Sequence, residues 1–421
     1  MGVVRLSTGD IVIAESTTGE LRRYDQSGAL VWRAGGQGQG PGEHKYLGFL
    51  RSLPGDSLVT ADSDRLRLNV FGPDGKVLRT IRLEMPEPGL VPRGFVGVSE
   101  RDLVMTFEDR REEPARPGVG RWPGLRIAML SLDDGRIRTW IDVPGSESLV
   151  FGKGPEYPVS GGSLALVDTG QFSVRFIDLD GRSTQRILKR DEPARQVTSD
   201  HVEAWVEWAI SVTRDPRGTD PVIRAARETP MASTLPVLES LYLDAVGNLW
   251  VEPYSVFGTP MPPFQVYAPD GSWLGSVAVP PGLGTERRLR FGFGRTFEIG
   301  NDYILGVWHD ELGVEHVRLY GLEKAGGWAR ATARPGRWTG GLQVSSSSRL
   351  RGRVVRPHHC RCSQLRQRHS QKRMGCTRHL FVPVEFPWRL AKPSRADPTS
   401  LRPTDRSTPS RRRHPCRNPR R

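Results

Sequence analysis

The chain has 421 residues, with 47 Gly and 34 Pro, 61 Lys and Arg against 47 Asp and Glu, and no apolar run near the length of a membrane-crossing helix. Frequent Gly and Pro among β-branched and aromatic runs exclude a mainly helical fold, and Met1-Gly2-Val3-Val4-Arg5-Leu6 lacks the apolar stretch and cleavage site of a secretory signal. The net charge of +14 is unevenly spread: residues 334–421 carry 23 Lys and Arg against 3 Asp and Glu, which leaves 38 against 44 before them.

In chain order, the mildly acidic body repeats. Thr8-Gly9-Asp10 opens a short apolar, β-rich run, Pro54-Gly55-Asp56 opens the next, and Glu100-Arg101-Asp102 the third. Looser copies begin at Gly161-Gly162-Ser163, Val246-Gly247-Asn248 and Gly300-Asn301-Asp302. Each reads as a turn followed by an inner strand of a sheet. Behind each run comes another strand, and five of these end in a tight turn: Asp25-Gln26-Ser27-Gly28, Pro73-Asp74-Gly75, Asp133-Asp134-Gly135, Asp180-Gly181 and Pro269-Asp270-Gly271. An Asp-Gly pair suits a hairpin, because Gly takes positive φ without steric cost and Asp tolerates it. Residues 315–320 give the sixth strand without the turn.

The turn positions 9, 55, 101, 162, 247 and 300 are 46, 46, 61, 85 and 53 residues apart, the length of a four-stranded blade plus insertions. Sheets too thin to bury both faces alone do so by stacking in a ring. The expected fold is therefore all-β, a six-bladed β-propeller over residues 1–325; two β-sandwiches are the alternative. Residues 192–236 depart from the pattern. There His201-Val202-Glu203-Ala204-Trp205-Val206-Glu207-Trp208-Ala209-Ile210 has helical spacing, which predicts a helical insertion between blades four and five, packed on the rim rather than over the channel mouth.

Gly35-Gly36-Gln37-Gly38-Gln39-Gly40-Pro41-Gly42-Glu43, together with the recurring Asp-Gly hairpins, resembles the inter-blade loops and turns of six-bladed propellers of the NHL and TolB-like kind, including a bacterial group known only by that architecture. Phe151-Gly152-Lys153-Gly154-Pro155-Glu156-Tyr157 is similar to a worn copy of the loop. The resemblance covers about residues 3–322 and implies an architecture without an activity, since propellers host binding, lyase and hydrolase functions alike. The sixth unit, residues 295–320, offers three strands and needs a fourth. Either Trp328-Ala329-Arg330-Ala331-Thr332-Ala333 fills the gap or, as expected here, a segment upstream of Met1 does. Such a segment would bring any signal peptide with it, making the protein periplasmic or secreted and otherwise cytoplasmic.

Chemically the body is sparse. The Gly-rich loop lacks the Gly-Lys-Ser/Thr and the following helix of a phosphate site, so it reads as a blade connection, with Glu43 and Glu156 as bracing carboxylates. The body has no cysteine, no G-x-S-x-G elbow and no H-E-x-x-H pair, which removes thiol nucleophiles and zinc-thiolate sites. Glu15, Asp62, Asp168 and Glu252 lie near strand ends where oxygen ligands to a divalent cation in a central channel could sit, although solvated turn carboxylates are the commoner use of such positions. His309 and His316 read as surface residues. Trp32, Trp122, Trp140, Trp250, Trp273 and Trp308 read mostly as strand residues packed between blades.

Residues 326–421 read as a disordered, basic tail. Three accounts compete: an arm binding nucleic-acid phosphates, a metal knuckle at Cys360, Cys362, Cys376 and His379, and out-of-frame translation of a GC-rich gene, which fits the Arg, Pro, Ser, His and Cys bias best. Cys416 lies in the same segment. The functional expectation is a non-enzymatic scaffold binding a small molecule, peptide or protein partner at the channel mouth or rim, without a cofactor. A metal-dependent, lactonase-like hydrolase is the alternative, and nucleic-acid binding depends on the tail.

Overall fold

The computed structural model describes residues 2–62, 67–85, 87–99, 102–109, 120–180, 183–213, 218–279, 297–309, 315–322, 338–339 and 343–345. Its strands form six antiparallel sheets, each taken up in turn along the chain. β1 (Gly2–Arg5), β2 (Ile11–Glu15), β3 (Glu20–Tyr24) and β4 (Leu30–Gly35) make the first sheet. β5 (Leu47–Ser52), β6 (Leu58–Asp62), β7 (Arg67–Phe71) and β8 (Val77–Arg82) make the second, and β9 (Leu90–Ser99), β10 (Asp102–Asp109), β11 (Leu125–Ser131) and β12 (Ile137–Val143) the third. In the fourth, β13 (Pro155–Glu156) and β14 (Val159–Ser160) both pair with β15 (Ser163–Asp168), followed by β16 (Ser173–Asp178) and β17 (Thr184–Lys189). The fifth holds β18 (Leu238–Leu243), β19 (Leu249–Pro253), β20 (Phe264–Tyr267) and β21 (Trp273–Val277). The sixth holds β22 (Phe297–Ile299), β23 (Tyr303–His309) and β24 (Glu315–Leu322), with β25 (Trp338–Thr339) and β26 (Gln343–Ser345) paired along the outer side of β24.

The apolar run that recurs in the sequence is the second strand of each sheet. That strand has a partner on either side and a neighbouring sheet on either face, so it buries every residue it can: all of β6, and Asp102 through Phe107 of β10, are buried. The innermost strand is the less regular segment before it. Innermost strands touch those of adjacent sheets, β1 against β5 and β9 against β14, and their pattern is broken by residues such as Pro92, Gly94 and Gly97, with register shifts between β9 and β10.

Each junction between consecutive sheets is filled by one apolar cluster. Val12 and Leu21 meet Leu50 and Phe71, Phe49 and Leu68 meet Leu103 and Phe107, and Val104 and Ile127 meet Leu164 and Ile177. Ala165 and Phe176 meet Leu241 and Leu249, and Tyr242 and Phe264 meet Phe297 and Ile304. The remaining cluster joins Val3, Ile11 and Ile13 of the first sheet to Leu305, Val307 and Val317 of the sixth. That junction closes the circle. The fold is a six-bladed β-propeller.

At the closure the Arg5 guanidinium lies 4.5 Å from the centre of the Tyr303 ring and 3.9 Å from Asp302. The first sheet has all four strands from Gly2 onward. The outermost pairing of the sixth comes from residues 338–345, inside the stretch that the sequence assigns to the tail. Residues 328–333 and 346–421, with all four cysteines and His379, lie outside the described residues.

Between β17 and β18 the chain forms two helices where the sequence showed one, α1 (Ser199–Val212) and α2 (Thr219–Glu228). At the start of α1, the backbone N–H of Thr198 donates to His201 Nδ1 at 2.9 Å. Pro221 sits in the first turn of α2, where a missing N–H breaks no helical bond. Val206 and Ala209 of α1 pack against Val222 and Ala226 of α2.

Candidate functional site

In a four-stranded antiparallel meander, the turns after the first and third strands lie at one end. The turn after the second strand and the link to the next sheet lie at the other. The recurring turns of this sequence all belong to the first kind, so one face of the propeller is short and regular. Its turns also lock neighbouring blades: Trp32 Nε1 donates to Pro73 O at 3.0 Å, and a Cβ on Gly75 (φ +81°) would fall 2.9 Å from the Trp32 ring. The opposite face carries what does not repeat: the Gly-rich link 36–46, the link 144–154 and the helical insertion.

The Gly-rich link is held by buried polar side chains from β6 and β7. Arg67 Nη1 donates to Gln39 O at 2.7 Å and Gly40 O at 3.2 Å, and its Nη2 donates to Glu43 O. Asp62 accepts from Lys45 N at 2.8 Å, and Glu43 accepts from Gly40 N at 2.7 Å. His44 is fully buried, with Nδ1 3.0 Å from Gly19 O and Nε2 2.8 Å from Thr60 Oγ1 and 3.2 Å from Asn69 Nδ2. Burial pushes its pKa below the ordinary imidazole value, and Arg67 adds to that push; the Gly19 carbonyl and Asp62 oppose it. Sequence reasoning missed His44. The available signal was the polar set Thr60, Asp62, Arg67 and Asn69 inside otherwise apolar strands.

The second link, 144–154, receives the insertion. Val150 N donates to Pro230 O at 2.9 Å and Val150 O accepts from Ala232 N at 2.8 Å, while Lys153 Nζ donates to Thr234 O at 2.7 Å. Phe151 is buried and non-glycine at φ 59°. Its ring lies 5.9 Å from Phe257 and 6.4 Å from His201, and Phe257 lies 5.3 Å from both Trp205 and Trp208. The insertion thus docks on the link before the fourth blade and on the β19–β20 turn of the fifth, through a cluster in which Trp205, Trp208 and Phe257 are half-buried. Beside it Arg121 reaches Asp168 at 3.1 Å and donates from Nε to Gly145 O at 2.8 Å.

Of the four candidate carboxylates, Glu15, Asp62 and Asp168 end second strands on this irregular face and Glu252 stands one residue before the end of another, each on a different sheet and each engaged. Glu15 pairs with Arg22 at 3.0 Å, Asp62 lies 3.6 Å from Arg67, Asp168 meets Arg121, and Glu252 accepts from the Tyr242 hydroxyl at 2.8 Å. Among the described residues no group of three or more His, Cys, Asp or Glu gathers where a metal could be held. Glu156 accepts from Ser240 Oγ at 2.7 Å, joining the fourth sheet to the fifth. His316 is half-buried, its ring 5.3 Å from Trp308, which also lies 3.5 Å from the Arg318 guanidinium. Trp250 is buried in a blade junction, Trp122 sits in the link after β10, and Trp273 is 40% exposed on an outermost strand. The side chains of Trp140 and His309 lie outside the described residues.

No family model and no curated protein matches the sequence. Among solved structures the chain is similar to virginiamycin B lyase from Staphylococcus aureus, at 10% identity and a TM-score of 0.36 over 76% of this chain and 79% of that one. It is also similar to a member of the DUF4221 family from Bacteroides vulgatus, at 12% identity and a TM-score of 0.42 over 73% and 86%. A third is regucalcin from Agrobacterium tumefaciens, a calcium-binding protein, at 13% identity and a TM-score of 0.33 over 73% and 80%. At such overlaps the fold rests on the six sheets of this chain, and no activity is carried across. No helix among the described residues is long and apolar enough to cross a membrane.

Proposed function

We propose that the protein is a binding scaffold whose irregular face, around the docked insertion, takes a small molecule, peptide or protein partner. The observation that supports this reading is the segregation of the two faces. Every short recurring turn lies on one, and the large departures from the repeat, with half-buried aromatic rings among them, lie on the other. Loops set on a rigid frame are where propellers place recognition. A thermal-shift screen of metabolites and short peptides on the full chain tests it. The expected result is at least one compound whose stabilisation is lost in Trp208→Ala on the irregular face and kept in Asp133→Ala on the regular one. Stabilisation by no compound, or lost equally in both variants, would count against it.

A second reading, the metal-dependent hydrolase, is favoured by the placement of Glu15, Asp62, Asp168 and Glu252 on that same face. Calcium or zinc at about millimolar concentration separates the two. Stabilisation by metal that disappears in Glu252→Gln would put the hydrolase first. The nucleic-acid reading rests on residues outside those described, and removal of residues 346–421 tests it while keeping β25 and β26.

A further inference from the structure

We propose that the channel mouth on the irregular face recognises a zwitterion carrying a flat ring, of which an aromatic α-amino acid is the simplest case; this rests on the binding reading and names the class of ligand. Near that mouth a register irregularity recurs on three innermost strands, each holding one residue more than its partner strand. In β5, Leu47 pairs with Asp62 and Phe49 with Ala61, which leaves Gly48 extra. In β9, Pro92 pairs with Phe107 and Gly94 with Thr106, which leaves Arg93 extra. In β18, Leu238 pairs with Pro253 and Ser240 with Glu252, which leaves Glu239 extra. Asp62, Phe107 and Pro253 are each the fifth residue of the apolar runs that begin at Leu58, Leu103 and Leu249, so the three bulges stand at one level of the ring. The fourth sheet reaches that level with Glu156 opposite Val167, and its bond to Ser240, opposite Glu252, ties the two blades there. Bulges bend a strand and re-aim the extra side chain, and they concentrate at rims and beside functional sites.

Consecutive blades bring different chemistry to this level. From the second, Tyr46 at the foot of β5 is 55% exposed, with Lys45 Nζ 5.1 Å from its ring centre. Trp273, the other exposed aromatic ring among the described residues, belongs to an outermost strand. From the third, the Arg93 side chain is also 55% exposed and meets Glu108 through Nε. Among the described residues its Nη1 and Nη2 have no partner, so the guanidinium keeps the paired donors that suit a carboxylate. From the fourth and fifth come the carboxylates of Glu156 and Glu239. A ligand with a flat side chain, a carboxylate and an ammonium on one carbon meets Tyr46, Arg93 and the two glutamates in turn. Charge narrows the choice. Lys45 and Arg93 stand against Glu108, Glu156 and Glu239, which repels a dianionic phosphate and tolerates a carboxylate offset by an ammonium of its own.

Calorimetric titration of the full chain with L-phenylalanine tests this, with phenylpropionate, phenethylamine and alanine as ligands that each lack one group. Phenylalanine should bind with a Kd of about 1 mM or below, and each truncated ligand about ten-fold or more weakly. Tyr46→Ala should weaken phenylalanine by about ten-fold. Arg93→Gln should weaken phenylalanine and phenylpropionate and spare phenethylamine, and Glu239→Gln should do the reverse. No binding of phenylalanine at about 10 mM, binding of a truncated ligand as tight as that of phenylalanine, or binding that all three substitutions leave unchanged would overturn the proposal. If phenylalanine fails while another compound stabilises the chain and loses that effect in Trp208→Ala, the binding reading stands and this ligand class falls. Should the variants not fold, hydrogen exchange in the native chain decides. Protection gained with phenylalanine at residues 45–48, 92–94 and 238–240 supports the site, and protection confined to the insertion or to the regular face overturns it.

Discussion

Phe151 holds a left-handed backbone at φ 59° although Gly152, which could take that conformation without strain, is the next residue. A bulky side chain there costs about 1–2 kcal/mol, so burial of the ring against Phe257 and the insertion has to outweigh that. Two substitutions separate the terms. Phe151→Ala loses the ring and keeps the strain, while Phe151→Gly loses the ring and sheds the strain. Both should be less stable than the native chain by about 2–5 kcal/mol, with Gly above Ala by about 1 kcal/mol, the reverse of the order at ordinary positions. Urea unfolding midpoints check it, and an Ala variant as stable as the Gly variant would rule the strained backbone out. Nothing local in Leu149-Val150-Phe151-Gly152 announces this conformation. The neighbouring Val150 is tied by hydrogen bonds to the Pro230 carbonyl and the Ala232 N–H, some 80 residues on, which a sequence window does not see. His44 was hidden for the same reason, since its partners Gly19, Thr60 and Asn69 come from three separate segments.

Among the elements, the insertion is the one built on contacts of its own. α1 was legible because its apolar residues recur at helical spacing beside two tryptophans. α2 was passed over: Thr219-Asp220-Pro221 is a fair helix start, but only Val222, Ile223 and Ala226 mark its apolar face within ten residues. Trp205 is the keystone, donating from Nε1 to Ala226 O at 3.2 Å and lying 5.0 Å from Trp208 and 5.3 Å from Phe257. Trp205→Ala should therefore raise hydrogen exchange in residues 199–212 and 219–228 by about ten-fold or more and leave the first three sheets unchanged. The exposed pair Glu203–Arg227, at 2.7 Å, contributes less than about 1 kcal/mol, so Glu203→Ala serves as the control. Faster exchange across the whole propeller in Trp205→Ala would mean that the insertion is an integral part of the ring rather than a docked module.

For the whole molecule, the question is why the repeat could be read so far from the chemistry. Second strands are enclosed on both faces, so their sequence is forced to stay apolar and their turns short. Innermost strands carry charged residues such as Arg51, Arg93 and Glu298 among their apolar ones, and links are free to differ. The enclosed strands gave away the ring, and the face that departs from it was left unread. Closure makes a prediction of its own. In an open array the last unit has one neighbour and melts first, whereas in a ring every unit has two. Leu305 of the sixth sheet packs against the first, and Leu103 packs between the second and third; both are fully buried. Leu305→Ala and Leu103→Ala should each lower stability by about 2–5 kcal/mol and shift one and the same unfolding transition, with no change in its denaturant slope. An early separate phase in Leu305→Ala, reported by Trp308 fluorescence and absent from Leu103→Ala, would show that the sixth sheet melts as a chain end and that the cluster of Val3, Ile13, Leu305 and Val317 does not bind the ring shut.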